Sequence, residues 1–272
     1  MSFPARPIAF ILAASNHGTM IVNRNDYNVT GSGGAYGVGY QILNGSSFDA
    51  SEVGFMLALL NRRRQYFGDG VVAIDGGANI GVHTVEWARH MHGWGRVLSF
   101  EAQEIVYYAL AGNIVINNCL NARAKLAALG EHDGELIVPQ PDYFAHASFG
   151  SLELRERSNT ESIGQRISYD PSSGATVPMV RIDSLGLDRA DLFKLDVEGM
   201  ELDVLRGARQ TLQDRRPILL IEVIKSDQAA IRGLLDALGY RYFPAGLNLI
   251  ALHAEDPVLQ HMSHSDGVTR LS

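Results

Sequence analysis

The amino-acid sequence predicts an α/β protein whose doubly wound, mostly parallel sheet has helices on both faces. Short apolar runs alternate with helical patterns from residue 71 onward, which is the order expected of a parallel sheet. A glycine-rich turn follows the first of these runs, and four of the runs end on a carboxylate, at the edge where parallel sheets bind ligands. The sequence also predicts a C-terminal antiparallel hairpin and a small β-rich N-terminal cap.

Composition limits the classes of protein to consider. The chain has 272 residues, 46% of them hydrophobic, which is enough for one α/β domain with additions. Its formal net charge of −7 gives no overall attraction to nucleic acid or anionic lipid, so we expect no nucleic-acid partner. Cys119 is the only cysteine, which excludes an intrachain disulfide framework and favours a cytoplasmic location. We expect Cys119 to be an inert residue at a helix end, and the oligomeric state stays open.

The N-terminal region is expected to precede the main sheet. The apolar run at residues 8–14 is too short to span a bilayer and is interpreted as a strand. Up to Gly45, short apolar groups alternate with Asn, Gly and Thr, which indicates strands and turns. A helix follows from Ser51. We divide the chain into the cap with this helix (1–70), a core (71–255) and a polar tail (256–272), which contains His261 and His264 and is expected to be frayed rather than a metal site.

Residues 71–81, VVAIDGGANIG, predict a strand, a tight turn and the start of a helix at 83–92. Glycines let the backbone approach a ligand that a Cβ would obstruct, and a helix N-terminus offers free N–H groups. A carboxylate at the strand end would repel a pyrophosphate but attract a ligand with a cationic amino-acid part, such as S-adenosylmethionine. A weak dinucleotide fingerprint and a purely connecting turn are the alternatives. The residues expected to contact the ligand are Asp75, Gly76, Gly77, Ala78, Asn79 and Gly81.

A second strand at residues 96–101 ends on Glu101. This residue lies 20 positions beyond Gly81, so in a doubly wound sheet it emerges beside the glycine turn. We expect its carboxylate to accept hydrogen bonds from both hydroxyls of a ribose, with Ala102 next to the ligand as well. The alternative is that Glu101 only complements the N-terminus of the following helix, at 104–118.

A third strand is predicted at residues 125–129 and another at 135–138. Residues 139–178 are polar and rich in turn formers, and so long a loop in a compact domain is usually functional or disordered. We interpret this segment as an insertion on the substrate side of the core, with a surface excursion as the alternative. Its candidate substrate contacts are Tyr143, His146, Ser148 and Phe149.

The remaining predicted core elements are strands at 192–196 and 217–222 and a hairpin of 240–243 with 248–251. One helix is predicted to end at about residue 213, and another is predicted at 228–238. Four strands therefore end on acids, which are Asp75, Glu101, Asp196 and Glu222. All strand C-termini of a parallel sheet lie along one edge, so these carboxylates are expected to converge on one crevice. Burying such a cluster is costly unless ligands, hydrogen bonds or protonation relieve it, which favours a functional site.

At these motifs the sequence resembles the FkbM family of S-adenosylmethionine-dependent methyltransferases, over residues 71–251. The shared motifs are IDGGANIGVHT, SFEA, the spacing of Asn113 and Asn117, IDSL (182–185), KLDVEGMELDVLRGA (194–208) and RPILLIE (216–222). Gly76 and Ala102 depart from the family pattern, which commonly has a β-branched residue and a proline there, but neither departure removes a charged contact. The resemblance implies a Rossmann-like core, S-adenosylmethionine as cofactor, and a small-molecule acceptor whose hydroxyl group is methylated, often a sugar or polyketide.

Methyl transfer to a hydroxyl requires that the acceptor be aligned and lose its proton. The sequence favours Asp196 as the base, with Glu198 and Glu222 as supporting acids. Lys194, or a bound divalent ion, is expected to stabilise the developing alkoxide, and no residue is assigned to a metal. The alternatives are that Glu198 caps the following helix and that Lys194 only pairs with an acid on its strand face.

Other side chains and other classes of protein are kept as alternatives. His83 is expected to pack just after the glycine turn, with cofactor contact as its alternative role, and His17 and His146 are alternative bases. A degenerate fold that binds S-adenosylmethionine without catalysis would act as a scaffold, which the retained acids disfavour. A nicotinamide-dependent oxidoreductase would share the sheet, but the charge of Asp75 disfavours it.

Overall fold

A computed structural model describes residues 7–31 and 33–272 of the chain. The strands are β1 Phe10–Ser15, β2 Gly18–Asn23, β3 Asn28–Val29, β4 Ala35–Tyr36, β5 Val71–Gly76, β6 Gly95–Glu101, β7 Ala122–Leu126, β8 Ala128–Leu129, β9 Gly134–Val138, β10 Ala175–Val180, β11 Leu192–Leu195, β12 Ile218–Glu222, β13 Tyr240–Ala245, β14 Asn248–His253, β15 Met262–Ser265 and β16 Val268–Leu271. The α-helices are α1 Val38–Gly45, α2 Ala50–Phe67, α3 Val82–His90, α4 Glu104–Ile116, α5 Glu201–Gly207, α6 Arg209–Arg215 and α7 Gln228–Ala237. None of the helices in these described ranges has the length and apolar character needed to cross a membrane.

The central sheet has seven strands in the order β13-β14-β12-β11-β5-β6-β7. Strands β12, β11, β5, β6 and β7 run parallel, whereas β14 is antiparallel to both β12 and β13. From β5 the chain first builds outward to β7 and then returns to add β11 on the other side. The strand order therefore reverses between β5 and β11, and ligands of such sheets bind beside this point. The predicted mostly parallel sheet with a C-terminal antiparallel hairpin is confirmed.

Alternating strand residues divide the core into two layers. Ala73 of β5 packs with residues of α2, α3 and α4, and the next residue, Ile74, packs with residues of α5, α6 and α7 on the opposite face. The strands are buried on both faces, which explains why they appear in the sequence as nearly continuous apolar runs. The prediction of helices on both faces is confirmed.

The N-terminal cap contains a helix that the sequence analysis did not predict. Strands β1 and β2 form a hairpin, β3 and β4 form a short pair, and α1 follows where turns were expected. The glycines that suggested turns instead permit close packing, because a Cβ on Gly39 would lie 2.4 Å from the carbonyl oxygen of Asn23 at the end of β2. Val38 and Ile42 of α1 join Met20 and Val22 of β2 in the core cluster of the central sheet.

The predicted third strand is divided between two sheets. Strand β7 ends at Leu126, and β8 then pairs in parallel with β10, which also pairs with β9 to give a three-stranded sheet in the order β8-β10-β9. The N–H group of Ala127 donates to the carbonyl oxygen of Glu101 at the point of division. The insertion predicted at 139–178 is irregular apart from two short 3-10 turns, and its last residues already belong to β10.

The expectation of a frayed C-terminal tail is wrong. A 3-10 turn at Pro257–His261 leads into the antiparallel pair β15 and β16. Asp256 anchors the segment, because its carboxylate is buried, accepts from Arg63 at 2.6 Å and caps the turn through the N–H of Val258. His261 forms a 2.7 Å hydrogen bond with Tyr66 of α2. The polar composition hid these contacts, since a buried ion pair between distant residues has no local sequence pattern.

Candidate functional site

A cavity of about 480 Å³ lies at the carboxyl edge of the central sheet, where the strand order reverses. Its walls come from the loops after β5, β6, β11 and β12, from β8 and the residue before it, and from the cap before and within α1 and α2. The insertion and the turn between β13 and β14 complete them. A volume of this size is typical of small-molecule sites.

The glycine turn forms one wall of the cavity. The N–H groups of Gly77 and Ala78 both donate to the carbonyl oxygen of Phe100, at 3.0 and 2.9 Å, so the chain folds tightly over the end of β6. Gly77 has a φ of +73°, and a Cβ there would lie 1.8 Å from the carbonyl oxygen of Asp196. Only glycine allows the loops after β5 and β11 to approach so closely. Gly77, Ala78 and Asn79 line the cavity, as predicted for cofactor-binding residues.

Asp75 lies behind the cavity wall and does not line it. It is 1% exposed, and its Oδ2 accepts a 2.6 Å hydrogen bond from Thr84 Oγ1, while Oδ1 has no hydrogen-bond partner among the described residues. Strand alternation turns this side chain toward α3, and the register places Asp75 opposite Lys194 on the same face of the sheet. The charge of Asp75 therefore acts on Lys194, which lines the cavity, while Asp75 itself does not line it.

Gly76 and Gly81 also lie outside the lining. A Cβ on Gly76 would approach Leu129 to 2.9 Å, and a Cβ on Gly81 would approach Leu110 to 2.5 Å. At both positions the missing side chain leaves room for a core leucine beside the turn. The sequence motif alone could not separate the glycines that face a ligand from those that face the core.

Glu101 ends β6 inside the cavity, beside the glycine turn. Its Oε2 accepts the N–H of Asn79 at 2.9 Å and its Oε1 accepts the N–H of Gln103 at 2.8 Å. Burial raises the pKa of Glu101 to about 7, although these two N–H donors act in the opposite direction. Each carboxylate oxygen keeps a second lone pair, so the group fits a pair of ribose hydroxyl donors. Ala102 lines the same wall.

Two ion pairs and a third acid occupy the floor, at the ends of β11 and β12. Lys194 Nζ donates to Asp196 Oδ2 at 2.7 Å, and Lys225 Nζ donates to Glu198 Oε2 at 2.6 Å. Glu222 completes the group, because one oxygen from each of Asp196, Glu198 and Glu222 lies within 4.8 Å of the others. We call these five side chains the charged cluster. The three acids predicted from the strand ends and from the DVEG motif are thus brought together with the predicted lysine.

Burial and repulsion between carboxylates raise the pKa of two acids in the charged cluster. Burial, followed by the charge of Asp196, raises the pKa of Glu222 to about 8, so this carboxyl is mostly protonated at pH 7. Burial and the charge of Asp196 also raise the pKa of Glu198 well above its usual range, against the opposing charge of Lys225. Burial alone would lower the pKa of Lys194, but the charges of Asp196, Asp75 and Glu52 outweigh it and raise that pKa. Lys194 is therefore held as an ammonium group.

Two cavity-lining residues, Glu52 beside the charged cluster and Lys225 within it, were not predicted from the sequence as site residues. Glu52 Oε2 accepts a hydrogen bond from Asn248 at 2.5 Å, and its other oxygen lies 3.2 Å from Nε2 of His83. Glu52 was interpreted only as a first-turn residue of α2. Lys225 follows β12 without any motif. His83 packs edge-on against Trp87 and lines the cavity, so its alternative role as a cofactor contact stays open.

The insertion borders the cavity, but only one of its four candidate residues does so directly. Ser148 lines the cavity together with Gly150, Ser151, Leu152, Leu154 and Glu161. Tyr143 is buried behind the wall, where its hydroxyl donates to Gln103 at 3.2 Å, and Phe149 packs against the Tyr143 ring at 4.9 Å between centroids.

Two histidines considered as bases lie away from the cavity lining. His146 stacks on Tyr27 at 5.3 Å between ring centroids. His17 is buried, contacts Glu86 at 2.9 Å and accepts the N–H of Phe48 at 2.8 Å. Both have structural contacts, so neither supplies a base to this cavity. Cys119, expected to be inert, is buried after α4.

Asp26, which no motif indicated, joins two walls of the cavity. It is 4% exposed, and its Oδ2 accepts the N–H of Gly39 in α1 at 2.9 Å while its Oδ1 accepts the N–H of Phe149 in the insertion at 3.0 Å. The neighbours Val38 and Ser148 line the cavity from opposite segments. One buried carboxylate thus sets the distance between the cap and the insertion.

The ionised form of Asp26 has a measurable cost. Burial raises its pKa from 3.8 to about 6, although the N–H donors of Gly39 and Phe149 oppose the shift. Because the folded state then binds the proton more tightly than the unfolded state, this group stabilises the fold at low pH and loses that contribution as pH rises through 6.

Replacing Asp26 with Asn should remove this pH dependence. As the pH falls from 8 to 5, the free energy of unfolding of the wild-type protein is expected to rise by about 1 kcal/mol relative to that of the variant. A folded-state pKa near 6 requires this change. Denaturant titrations of both proteins at the two pH values measure the difference, in which other titrating groups cancel. A difference that does not change with pH would show that burial does not raise the pKa of Asp26 into this range.

The sequence of this chain matches a known protein family and two named relatives. Residues 75–242, well over half of the chain, match the family described as Methyltransferase FkbM domain. "Methyltransferase 1" of Beauveria bassiana is 26% identical over 185 residues, covering 64% of this chain and 74% of the relative. "Methyltransferase sdnD" of Sordaria araneosa is 28% identical over 156 residues, covering 49% of this chain and 59% of the relative.

A solved structure of similar fold is the FkbM methyltransferase of Methylobacillus flagellatus. It is 17% identical, has a TM-score of 0.47, and the match covers 71% of this chain and 48% of that chain. The present chain thus spans about half the length of that protein and 59% of the Sordaria relative. The matched residues define a methyltransferase domain. In particular, the chain belongs to the FkbM methyltransferase family.

Proposed function

We propose that this protein transfers a methyl group from S-adenosylmethionine to a hydroxyl group of a small acceptor molecule. The observation that carries the proposal is the buried ammonium of Lys194 bound to the partly exposed Asp196 at the cavity floor, one strand away from the glycine turn. This arrangement places a carboxylate with a supporting cation next to the predicted cofactor wall.

The cofactor would occupy the β5 to β8 side of the cavity. Gly77, Ala78 and Asn79 would hold its amino-acid part, Glu101 would accept hydrogen bonds from the ribose, and the base would lie against Ala102 and the apolar residues Ala127, Ala128 and Leu129, all of which line the cavity. When bound, the cofactor supplies an electrophilic methyl group on a sulfonium.

The acceptor would then lie over the charged cluster. Oδ2 of Asp196 is held by Lys194, while Oδ1 has no hydrogen-bond partner among the described residues, so Oδ1 is the atom we assign to accept the hydroxyl proton. Lys194 stabilises the negative charge that develops on the acceptor oxygen. Glu222, protonated near neutral pH, is able to donate a hydrogen bond, and Glu198 is held in place by Lys225.

A scaffold that binds the cofactor without catalysis is the competing function. The two predict different results when the protein is incubated with S-adenosylmethionine and a panel of hydroxylated small molecules, with S-adenosylhomocysteine formation as the readout. An enzyme should form S-adenosylhomocysteine only when an acceptor is present. Tight binding of S-adenosylhomocysteine without turnover on any acceptor would favour the scaffold, and binding of NADH in its place would overturn the assignment.

The role of Glu101 gives a pH-dependent prediction. With a pKa of about 7 in the free protein, Glu101 is mostly protonated at pH 6 and mostly ionised at pH 8. Ribose hydroxyls donate to the ionised form, so affinity for S-adenosylhomocysteine is expected to rise about tenfold from pH 6 to pH 8. Glu101→Gln should bind more weakly at pH 8, by about 1.5 to 3 kcal/mol, and should lose the pH dependence. Calorimetric titrations measure both, and equal affinities of the two proteins at pH 8 would exclude Glu101 from the ribose site.

A further inference from the structure

The acceptor end of the cavity has a charged floor but an apolar mouth. Tyr36, Ile224 and Leu247 line the cavity and are still 37%, 48% and 68% exposed. Large apolar side chains left exposed around a cavity commonly mark a ligand-binding surface. Phe48 also lines the cavity from the segment before α2.

Hydrogen bonds bring three of these side chains to the same end of the sheet. The N–H of Val223 donates to the carbonyl oxygen of Leu247 at 3.3 Å, which places the turn between β13 and β14 beside the segment that contains Ile224. The side chain of the next residue, Asn248, donates to Glu52 of α2, and α2 begins just after Phe48. Phe48, Ile224 and Leu247 therefore surround the β12 and β14 side of the mouth, and we call them the apolar rim.

The apolar rim is far from the predicted nucleoside wall. Four strand spacings separate β6, which carries Glu101, from β14, and at about 4.8 Å each they span roughly 19 Å. The rim is therefore available to the acceptor while Glu101 holds the ribose. Apolar lining at the nucleoside end comes from a different set, including Ala127, Ala128 and Leu129.

The charges of the cavity disfavour anionic acceptors. Among the described residues, seven carboxyl side chains line it, against the two ammonium groups of Lys194 and Lys225 and no arginine. Both ammonium groups already bind carboxylates. A phosphate or carboxylate on the acceptor would therefore find no free cation among the lining residues and would meet uncompensated negative charge.

We propose that the acceptor is an uncharged hydroxylated molecule with an apolar body, whose hydroxyl reaches the charged cluster while the apolar body lies against the rim of Phe48, Ile224 and Leu247. This inference rests on the proposed function for the identity of the reacting group, and it selects an apolar scaffold over a free sugar or a phosphorylated compound.

Binding to protein saturated with S-adenosylhomocysteine tests this selection. Octyl glucoside, kept below its micelle concentration, and methyl glucoside present the same hydroxyls but differ in their apolar part, whereas octyl sulfate has the same chain on an anionic head. We expect octyl glucoside to bind at least tenfold more tightly than either of the others, since burial of about two methylene groups suffices for tenfold. Equal affinities for octyl and methyl glucoside would overturn the proposal, as would tighter binding of octyl sulfate.

A matched pair of variants locates the effect. Leu247→Asp should weaken octyl glucoside binding at least tenfold and change S-adenosylhomocysteine affinity less than twofold. Leu120→Asp is the control, because Leu120 is 72% exposed but lies outside the cavity. Equal effects of the two variants would contradict the rim assignment. Failure of the proposed function is seen separately, because wild-type protein would then either not bind S-adenosylhomocysteine or show no turnover of S-adenosylmethionine on any hydroxylated acceptor.

Discussion

Replacing Asp196 with Asn is expected to lower methyl-transfer turnover by about 100-fold or more, the usual contribution of a general base. Asparagine keeps the size of the side chain and can still accept from Lys194, but it removes the negative charge and the basic Oδ1. Affinity for S-adenosylhomocysteine and the free energy of unfolding should change little, because Asp196 is 37% exposed at its side chain and does not hold the core together. Steady-state turnover, calorimetry and denaturant titration measure the three quantities.

Asp203→Asn is a matched control for this variant. Asp203 of α5 also accepts from a cation at 2.7 Å, in this case Arg155, but it does not line the cavity. We expect near-normal turnover for the control. Near-normal turnover for Asp196→Asn would instead move the base to Glu198 or Glu222, and loss of activity on chelation would indicate a divalent ion held by the same three acids.

Replacing Gly77 with Ala is expected to lower affinity for S-adenosylhomocysteine by 100-fold or more, the second large effect. The new methyl group would lie 1.8 Å from the carbonyl oxygen of Asp196, so the loops after β5 and β11 must separate. Backbone cannot move aside as a flexible side chain can. We therefore also expect a loss of more than about 3 kcal/mol in the free energy of unfolding, as for a severe overpacking change.

Gly93→Ala separates this collision from backbone strain. Gly93 has a φ of +79°, close to the +73° of Gly77, but a Cβ there meets no atom within 4 Å. The control should lose only about 1 to 2 kcal/mol from the left-handed conformation and keep its affinity for S-adenosylhomocysteine. If both variants bind normally, the glycine turn is not a wall of the cofactor site.

Sequence reasoning could predict the sheet and the acids because both depend on local patterns. Each central strand is a short apolar run, and a parallel arrangement then forces Glu101, Asp196 and Glu222 onto one edge. The same reasoning placed Asp75 in the cavity, whereas strand alternation turns that side chain toward Thr84 and the helix layer. The prediction considered only that Asp75 lies near the end of the strand. It did not consider toward which face of the sheet the side chain of Asp75 points.

Residues joined over long sequence separations could not be predicted in this way. Asn248 and Glu52 are 196 positions apart, and their hydrogen bond exists only because β14 pairs with β12 and so brings Asn248 beside α2. Asp26 binds Gly39 and Phe149, and nothing in its immediate sequence distinguishes it from a turn residue. Such contacts depend on topology, which local periodicity does not specify.

A crystal structure of the protein with S-adenosylhomocysteine would test the central claim most directly. The account predicts that both ribose hydroxyls lie within hydrogen-bond distance of the Glu101 carboxylate, that the amino-acid part lies beside Gly77 to Asn79, and that the sulfur faces Asp196 across the charged cluster. A ligand whose ribose lies away from Glu101, or whose sulfur faces away from Asp196, would contradict it.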